Sequence, residues 1–136
     1  MAKIVLIEHD YGLLDAITGK LRKKAFIVEP ICAESPKDFL MEIAETIYEH
    51  RQSPEKTIIL ISDYHLPGIK GTELIKYARD VASYLGFRAI GYGIMTSDHN
   101  VHLLPELVAF PIALKDSGLH NIIGFVESLV SQQRSC

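Results

Sequence analysis

Thr57-Ile58-Ile59-Leu60-Ile61-Ser62-Asp63-Tyr64-His65-Leu66-Pro67-Gly68 passes from the most apolar run of the chain into a carboxylate and then a turn. Ile58 to Ile61 show no polar alternation. Thr57 to Ser62 therefore reads as a strand buried on both faces, the type found inside parallel sheets. Leu66-Pro67-Gly68 spells a turn, because proline presets φ and glycine tolerates the left-handed region. A strand covered on both sides needs crossover helices above and below it, so the flanking sequence should alternate strand with helix.

Both flanks alternate. Upstream, Ile4-Val5-Leu6-Ile7 is a second continuous apolar run, ending in Glu8-His9-Asp10. Leu13, Leu14, Ile17 and Leu21 then recur at helical spacing, and Lys20, Arg22, Lys23 and Lys24 gather where cations suit the helix dipole. Ala25 to Ile31 is a strand that Pro30 pushes towards an edge. Ser35 caps, and Pro36 opens, a helix running through Phe39, Leu40, Ile43 and Ile47 to about Arg51. Gln52 to Lys56 is a polar loop.

Downstream, Thr72 to about Leu85 is a helix that buries Leu74, Ile75, Ala78, Val81, Ala82 and Leu85. Arg88 to Met95 is a weaker strand, interrupted by Gly91 and Gly93. Asp98 to Leu107 is a short helix made irregular by Pro105. Val108 to Leu114 is a fifth strand, with Pro111 favouring an edge. Ser117 to about Gln132 is the closing helix. Five strands alternating with five helical segments predict an α/β fold: a doubly wound five-stranded parallel sheet flanked by helices on both faces.

Composition excludes several other classes. A chain of 136 residues fits one domain over 1–136. With 48% hydrophobic and 23% charged residues it is neither disordered nor fibrous. Fourteen Lys and Arg against seventeen Asp and Glu give a net charge of −3, with no basic stripe for direct nucleic-acid binding. No apolar run approaches the roughly 18 residues of a membrane span, and the first one stops at Glu8, so no signal peptide is read. Cys32 and Cys136 make no disulfide framework and read as free thiols of a reducing, cytoplasmic compartment.

In doubly wound folds the chemistry sits at the carboxyl ends of the strands, beside the switch point of the strand order. The predicted strand ends carry Glu8-His9-Asp10, Ser62-Asp63-Tyr64-His65, Thr96-Ser97-Asp98 and Lys115-Asp116. Singly, each acidic residue reads as a turn former or a cap. Together they bring carboxylates, a hydroxyl and an ammonium to one rim. Carboxylates a few ångströms apart repel by roughly 4 kcal/mol per pair, which a divalent cation relieves, and hard oxygens favour magnesium over zinc. A carboxylate beside such a cation and an ammonium can attack phosphorus.

Asp63-Tyr64-His65-Leu66-Pro67-Gly68-Ile69-Lys70-Gly71 resembles the phosphoacceptor segment of response-regulator receiver domains. That family has an aspartate, two variable residues, a hydrophobe, a proline, and a glycine eight positions on. Asp63, Leu66, Pro67 and Gly71 meet all of these, and the resemblance runs along nearly the whole chain. It implies Asp63 as phosphoacceptor, Thr96 as switch hydroxyl and Lys115 as the ammonium that pairs with the phosphoryl group. It implies an acidic pocket from Glu8, with Asp10 as a late substitute. It implies Mg2+ held by Glu8, Asp63 and the backbone carbonyl of His65, with His9 the weakest member of that set. The implied partners are a histidine kinase or histidine phosphotransfer protein and a downstream protein target, with a homodimer left open. The implied role is a switch, not a metabolic enzyme.

Three positions depart from the family pattern. His9 stands where a metal-contacting carboxylate is usual. Asp116 follows Lys115 where a proline is usual. Ile112 stands where an aromatic switch residue is common, and Tyr92 and Phe110 read as core instead. These departures keep open a degenerate receiver that binds proteins without phosphorylation. A flavin or nucleotide binder is a further class, although Tyr11-Gly12-Leu13-Leu14 lacks a glycine-rich phosphate loop. A transition-metal site from Glu8, His9, Asp63 and His65 is another. His50, His99, His102 and His120 read as surface residues.

Overall fold

A computed structural model describes residues 2–52, 56–100 and 103–134. His102, Cys136, the middle of the expected 52–56 loop and part of the expected helix over 98–107 lie outside the described residues. The elements in chain order are β1 (Lys3–Ile7), α1 (Tyr11–Lys23), β2 (Ile27–Ile31), α2 (Pro36–Glu49), β3 (Thr57–Asp63), β4 (His65–Leu66), β5 (Ile69–Lys70), α3 (Gly71–Tyr84), β6 (Ala89–Thr96), β7 (Ile112–Leu114) and α4 (Leu119–Arg134). Strands β2-β1-β3-β6-β7 form one parallel sheet in that order, and β4 pairs with β5 in a small antiparallel hairpin.

Period two sorts the apolar strand residues between two cores. Ile4 and Leu6 of β1, with Ile59 and Ile61 of β3, pack under α1 and α4 beside Leu14, Ile17, Leu21, Ile122 and Val126. Val5, Ile7, Ile58 and Leu60 face the other way, onto Phe39, Ile43 and Ile47 of α2 and Leu74, Ala78 and Ala82 of α3. This two-sided burial is why β1 and β3 lack polar alternation. Pro30 lies on β2, an edge strand, where no ladder donor is wasted. Ser35 caps α2 by accepting from the Asp38 amide at 3.3 Å.

Three expectations change. Strand β6 is the longest in the sheet at eight residues, in spite of its glycines. Those glycines admit neighbours: a Cβ on Gly93 would lie 2.6 Å from the Phe125 ring, and one on Gly91 would lie 2.8 Å from Ile59. The helix expected over Asp98–Leu107 is replaced, among the described residues, by short 3-10 structure, the turn at Pro105–Leu107 included. Asp98 favours a turn there, accepting from the Asn100 amide while its own amide donates to Thr96 Oγ1. The fifth strand shrinks from Val108–Leu114 to Ile112–Leu114. Leu107 and Phe110 instead fold inward, onto Tyr64, Ile75 and Ile94. Five predicted helical segments thus become four α-helices and short 3-10 turns among the described residues.

Candidate functional site

The strand order reverses between β1 and β3, and register brings their carboxyl ends level. Ile7 pairs with Ser62, so Glu8 emerges beside Asp63. Asp63 pairs with Met95, which puts Thr96 one step further on, and Thr96 pairs with Leu114, which leads into Lys115. Four residues far apart in sequence thus meet on one rim because four parallel strands end together.

The centre of the rim is an ammonium between two carboxylates. Lys115 Nζ lies 2.7 Å from Glu8 Oε2 and 2.8 Å from Asp63 Oδ2. Glu8 is fully buried and Asp63 nearly so. Burial pushes the Glu8 carboxyl above its ordinary range; Lys115 opposes this, and the nearby Asp63 charge adds to it. Burial pulls the Lys115 ammonium down, but its hydrogen bonds to Asp63 and Glu8 outweigh that and leave it raised. Glu8 Oε1 accepts from the amides of His9 (3.1 Å) and Asp10 (3.2 Å). Asp63 Oδ1 accepts from the His65 amide at 3.4 Å. Thr96 is fully buried, and its Oγ1 accepts from the Asp98 amide at 3.1 Å.

His9 joins this group from the solvent side. Its Nδ1 lies 3.4 Å from Asp63 Oδ2 and 3.6 Å from Glu8 Oε1, with the ring half exposed. Asp10 does not join it. Its carboxylate accepts from the Gly12 and Leu13 amides and caps α1 instead. Asp10, expected as a late substitute in the acidic pocket, is therefore taken up by helix capping. His65 is exposed, with Nε2 3.8 Å from Asp98 Oδ2, so its side chain points away from Asp63 and towards the β6 loop. Asp116 turns outward to His99 Nε2, and Lys115–Ser117 forms a 3-10 turn with no cis bond.

The donor set fits a divalent cation. Glu8, His9 and Asp63 each offer a ligand atom, all within 4.8 Å of one another. Atoms that share one ion at bonds of about 2.1 Å lie at most about 4.2 Å apart, so the three must draw slightly closer to share one, which the half-exposed His9 ring allows. The set differs from an all-oxygen cradle by its imidazole nitrogen.

Two residues do more than sequence reasoning assigned them. A Cβ on Gly71 would lie 2.1 Å from the Asp63 carbonyl oxygen, and the Gly71 amide donates to the Tyr64 carbonyl. The glycine is required because α3 starts against the backbone of Asp63 itself. Tyr64 is buried, and its hydroxyl donates to the Glu106 carboxylate. Glu106 also pairs with Lys70 at 3.2 Å. The residue after Asp63 is thereby tied to the 3-10 turn. Only the large hydroxylated ring at a buried position hinted at this, since a buried Tyr hydroxyl needs a partner.

No family model matches the sequence, and no curated protein matches it either. Solved structures match in fold along the whole chain. Chemotaxis protein CheY4 of Vibrio cholerae superposes with a TM-score of 0.67 at 15% identity, over 95% of this chain and 98% of that one. The receiver domain of the histidine kinase CKI1 from Arabidopsis thaliana, solved with Mg2+ and BeF3-, gives 0.70 at 18%, over 95% and 89%. A response regulator receiver domain protein from Clostridium thermocellum gives 0.68 at 17%, over 98% of each chain. The chain has the doubly wound fold of response-regulator receiver domains.

Proposed function

We propose that the protein is a phosphoryl-accepting receiver: Asp63 takes a phosphoryl group from a histidine kinase or histidine phosphotransfer protein, and the change switches a contact with a downstream protein. The observation that carries this is the Lys115 ammonium, seated between Glu8 and Asp63 at the strand ends. In this reading an Asp63 carboxylate oxygen attacks phosphorus, the bond to the donor's imidazole nitrogen breaks, and the imidazole leaves with the electron pair. Lys115 moves its ammonium from the carboxylate to the transferred oxygens. Thr96, at the end of the adjacent strand, donates its hydroxyl to the same group. Asp63 and His9, with the His65 carbonyl, would hold a divalent cation, whose charge would offset that of the incoming anion. The acyl phosphate carries roughly two negative charges in place of the one on Asp63, and spreads them over phosphoryl oxygens beyond the carboxylate, a local change large enough to reposition loops.

The role is a switch in two-component signalling, placed in the cytoplasm. No helix among the described residues is long and apolar enough to cross a membrane. Incubation with acetyl phosphate and MgCl2 or MnCl2, followed by intact mass, tests the reading. Wild type gains one phosphoryl group and Asp63→Asn gains none. An unlabelled wild type, under conditions that label an ordinary receiver, overturns it. One observation favours a second reading, a phosphorylation-independent binding module: His9 replaces a carboxylate beside Asp63. The same unlabelled result is the outcome that reading requires.

A further inference from the structure

The ligands left free to turn towards an ion at this rim are few. Both Glu8 oxygens are engaged, Oε1 by two backbone amides and Oε2 by Lys115, and the same ammonium holds Asp63 Oδ2, whereas Asp63 Oδ1 accepts one long bond only, from the His65 amide at 3.4 Å. Asp10 is spent on the N-terminus of α1. What remains facing solvent beside Asp63 is the His9 imidazole, with Nδ1 3.4 Å from the Asp63 carboxylate. The ring is half exposed, so its position is adjustable while its backbone is held by the Glu8 carboxylate. An ion entering here meets a nitrogen donor early. Mg2+ demands oxygen ligands in near-ideal octahedral geometry and dehydrates reluctantly, whereas imidazole suits later first-row ions.

We infer that the pocket at Glu8, His9 and Asp63 is selective for a borderline first-row divalent cation of the Co2+, Ni2+ and Zn2+ class, bound through His9 Nδ1 and Asp63, over Mg2+. The inference rests on the receiver reading of the site and assigns its metal. His9 is then a first-coordination ligand that sets the choice of ion, while Glu8 acts through its hold on Lys115 and on the His9 amide. Affinity for later ions exceeds that for Mg2+ at most sites, so the diagnostic quantity is the change in that ratio when the nitrogen is removed.

The test is calorimetric titration of the full chain with CoCl2 and with MgCl2, beside proton NMR of the Co2+-loaded protein. Wild type should show a paramagnetically shifted, exchangeable imidazole Nε2 proton. His9→Asp should lose that signal and lower the Co2+ to Mg2+ affinity ratio by at least about tenfold, as expected when an oxygen replaces an imidazole nitrogen. His65→Ala should keep both the signal and the ratio, since its side chain faces Asp98. A Co2+-loaded wild type without the shifted proton overturns the inference, and so does an unchanged ratio in His9→Asp. If wild type binds neither ion while His9→Asp binds Mg2+, His9 blocks the pocket. The inference then fails and the receiver reading stands. If no variant binds any divalent ion and none accepts a phosphoryl group, both fail.

Discussion

The two halves of the rim are held in different ways. Glu8 and Asp63 emerge from β1 and β3, whose Ile4–Ile7 and Ile58–Ile61 are wholly buried between helices on both sides. Thr96 and Lys115 bracket residues 97–114, where a 3-10 turn and a three-residue strand stand in for longer elements. The first half is fixed by apolar burial. The second is fixed by a smaller apolar cluster, Leu107 and Phe110 on Tyr64, Ile75 and Ile94, and by a few polar contacts: Tyr64 to Glu106, Glu106 to Lys70, Asp116 to His99. A rigid carboxylate pair facing a lightly tethered counter-ion is an arrangement in which a new charge on the rigid side moves the other side first. The less packed half is where local opening costs least.

The contrast predicts where substitution does most harm. Gly71→Ala strikes the rigid half, because its Cβ would lie 2.1 Å from the Asp63 carbonyl, a backbone atom that has no side-chain freedom to yield. The expected loss is about 3 kcal/mol, at the upper end for overpacking, read from urea denaturation. A loss under about 1 kcal/mol would show that the β3 end shifts easily, and the contrast would collapse.

Lys115→Ala removes the tether between the halves, and its effect carries a sign in pH. The Glu8 carboxyl is raised by burial and by Asp63, and Lys115 is what opposes both. A carboxyl with a raised folded-state pKa contributes its stability at low pH and loses it as pH rises through the folded value. Without the ammonium that value rises further, so the variant should lose stability as pH climbs from about 5 to 7.5. At pH 7.5 the loss should be about 2 kcal/mol, below the roughly 3–5 kcal/mol of breaking a fully buried pair because the Lys115 side chain is 17% exposed. Thermal melting at the two pH values checks it, and a loss that grows on acidification would refute the assignment.

The same contrast explains how much was legible in sequence. β1 and β3 were readable because two-sided burial leaves an unbroken aliphatic run, with Glu8 and Asp63 standing where those runs end; Thr96 and Lys115 stand at the ends of β6 and β7, and the roles of all these residues came from the resemblance to receiver domains. Pro30 and Ser35-Pro36 carry local rules that tertiary packing did not override. β6 looked weak because glycine is a poor strand former by itself; that Gly93 makes room for Phe125 is a fact about α4, not about the strand. The 98–114 region was misjudged because its apolar residues serve an inward fold onto Tyr64, a contact across 40-odd positions with no period to announce it. Asp10 was similarly ambiguous, since a carboxylate after a strand serves equally as ligand and as helix cap, and only the loop path decides.

Tyr64→Phe gives the smallest effect and the most local one. The ring keeps its apolar packing against Ile75, Ile94, Leu107 and Phe110, so only the hydroxyl's bond to Glu106 is lost. A single side-chain hydrogen bond of this kind contributes about 1 kcal/mol. The loss should fall on one side of the rim. Backbone amides of 103–110 should exchange with solvent several-fold faster by native-state hydrogen exchange, because that turn loses its link to the residue after Asp63. Amides of β1 and β3 should exchange at the wild-type rate, since nothing in their two-sided cover depends on Glu106. Uniform acceleration across both halves would mean that the tyrosine hydroxyl supports the whole sheet, and that the rim does not divide as its packing indicates.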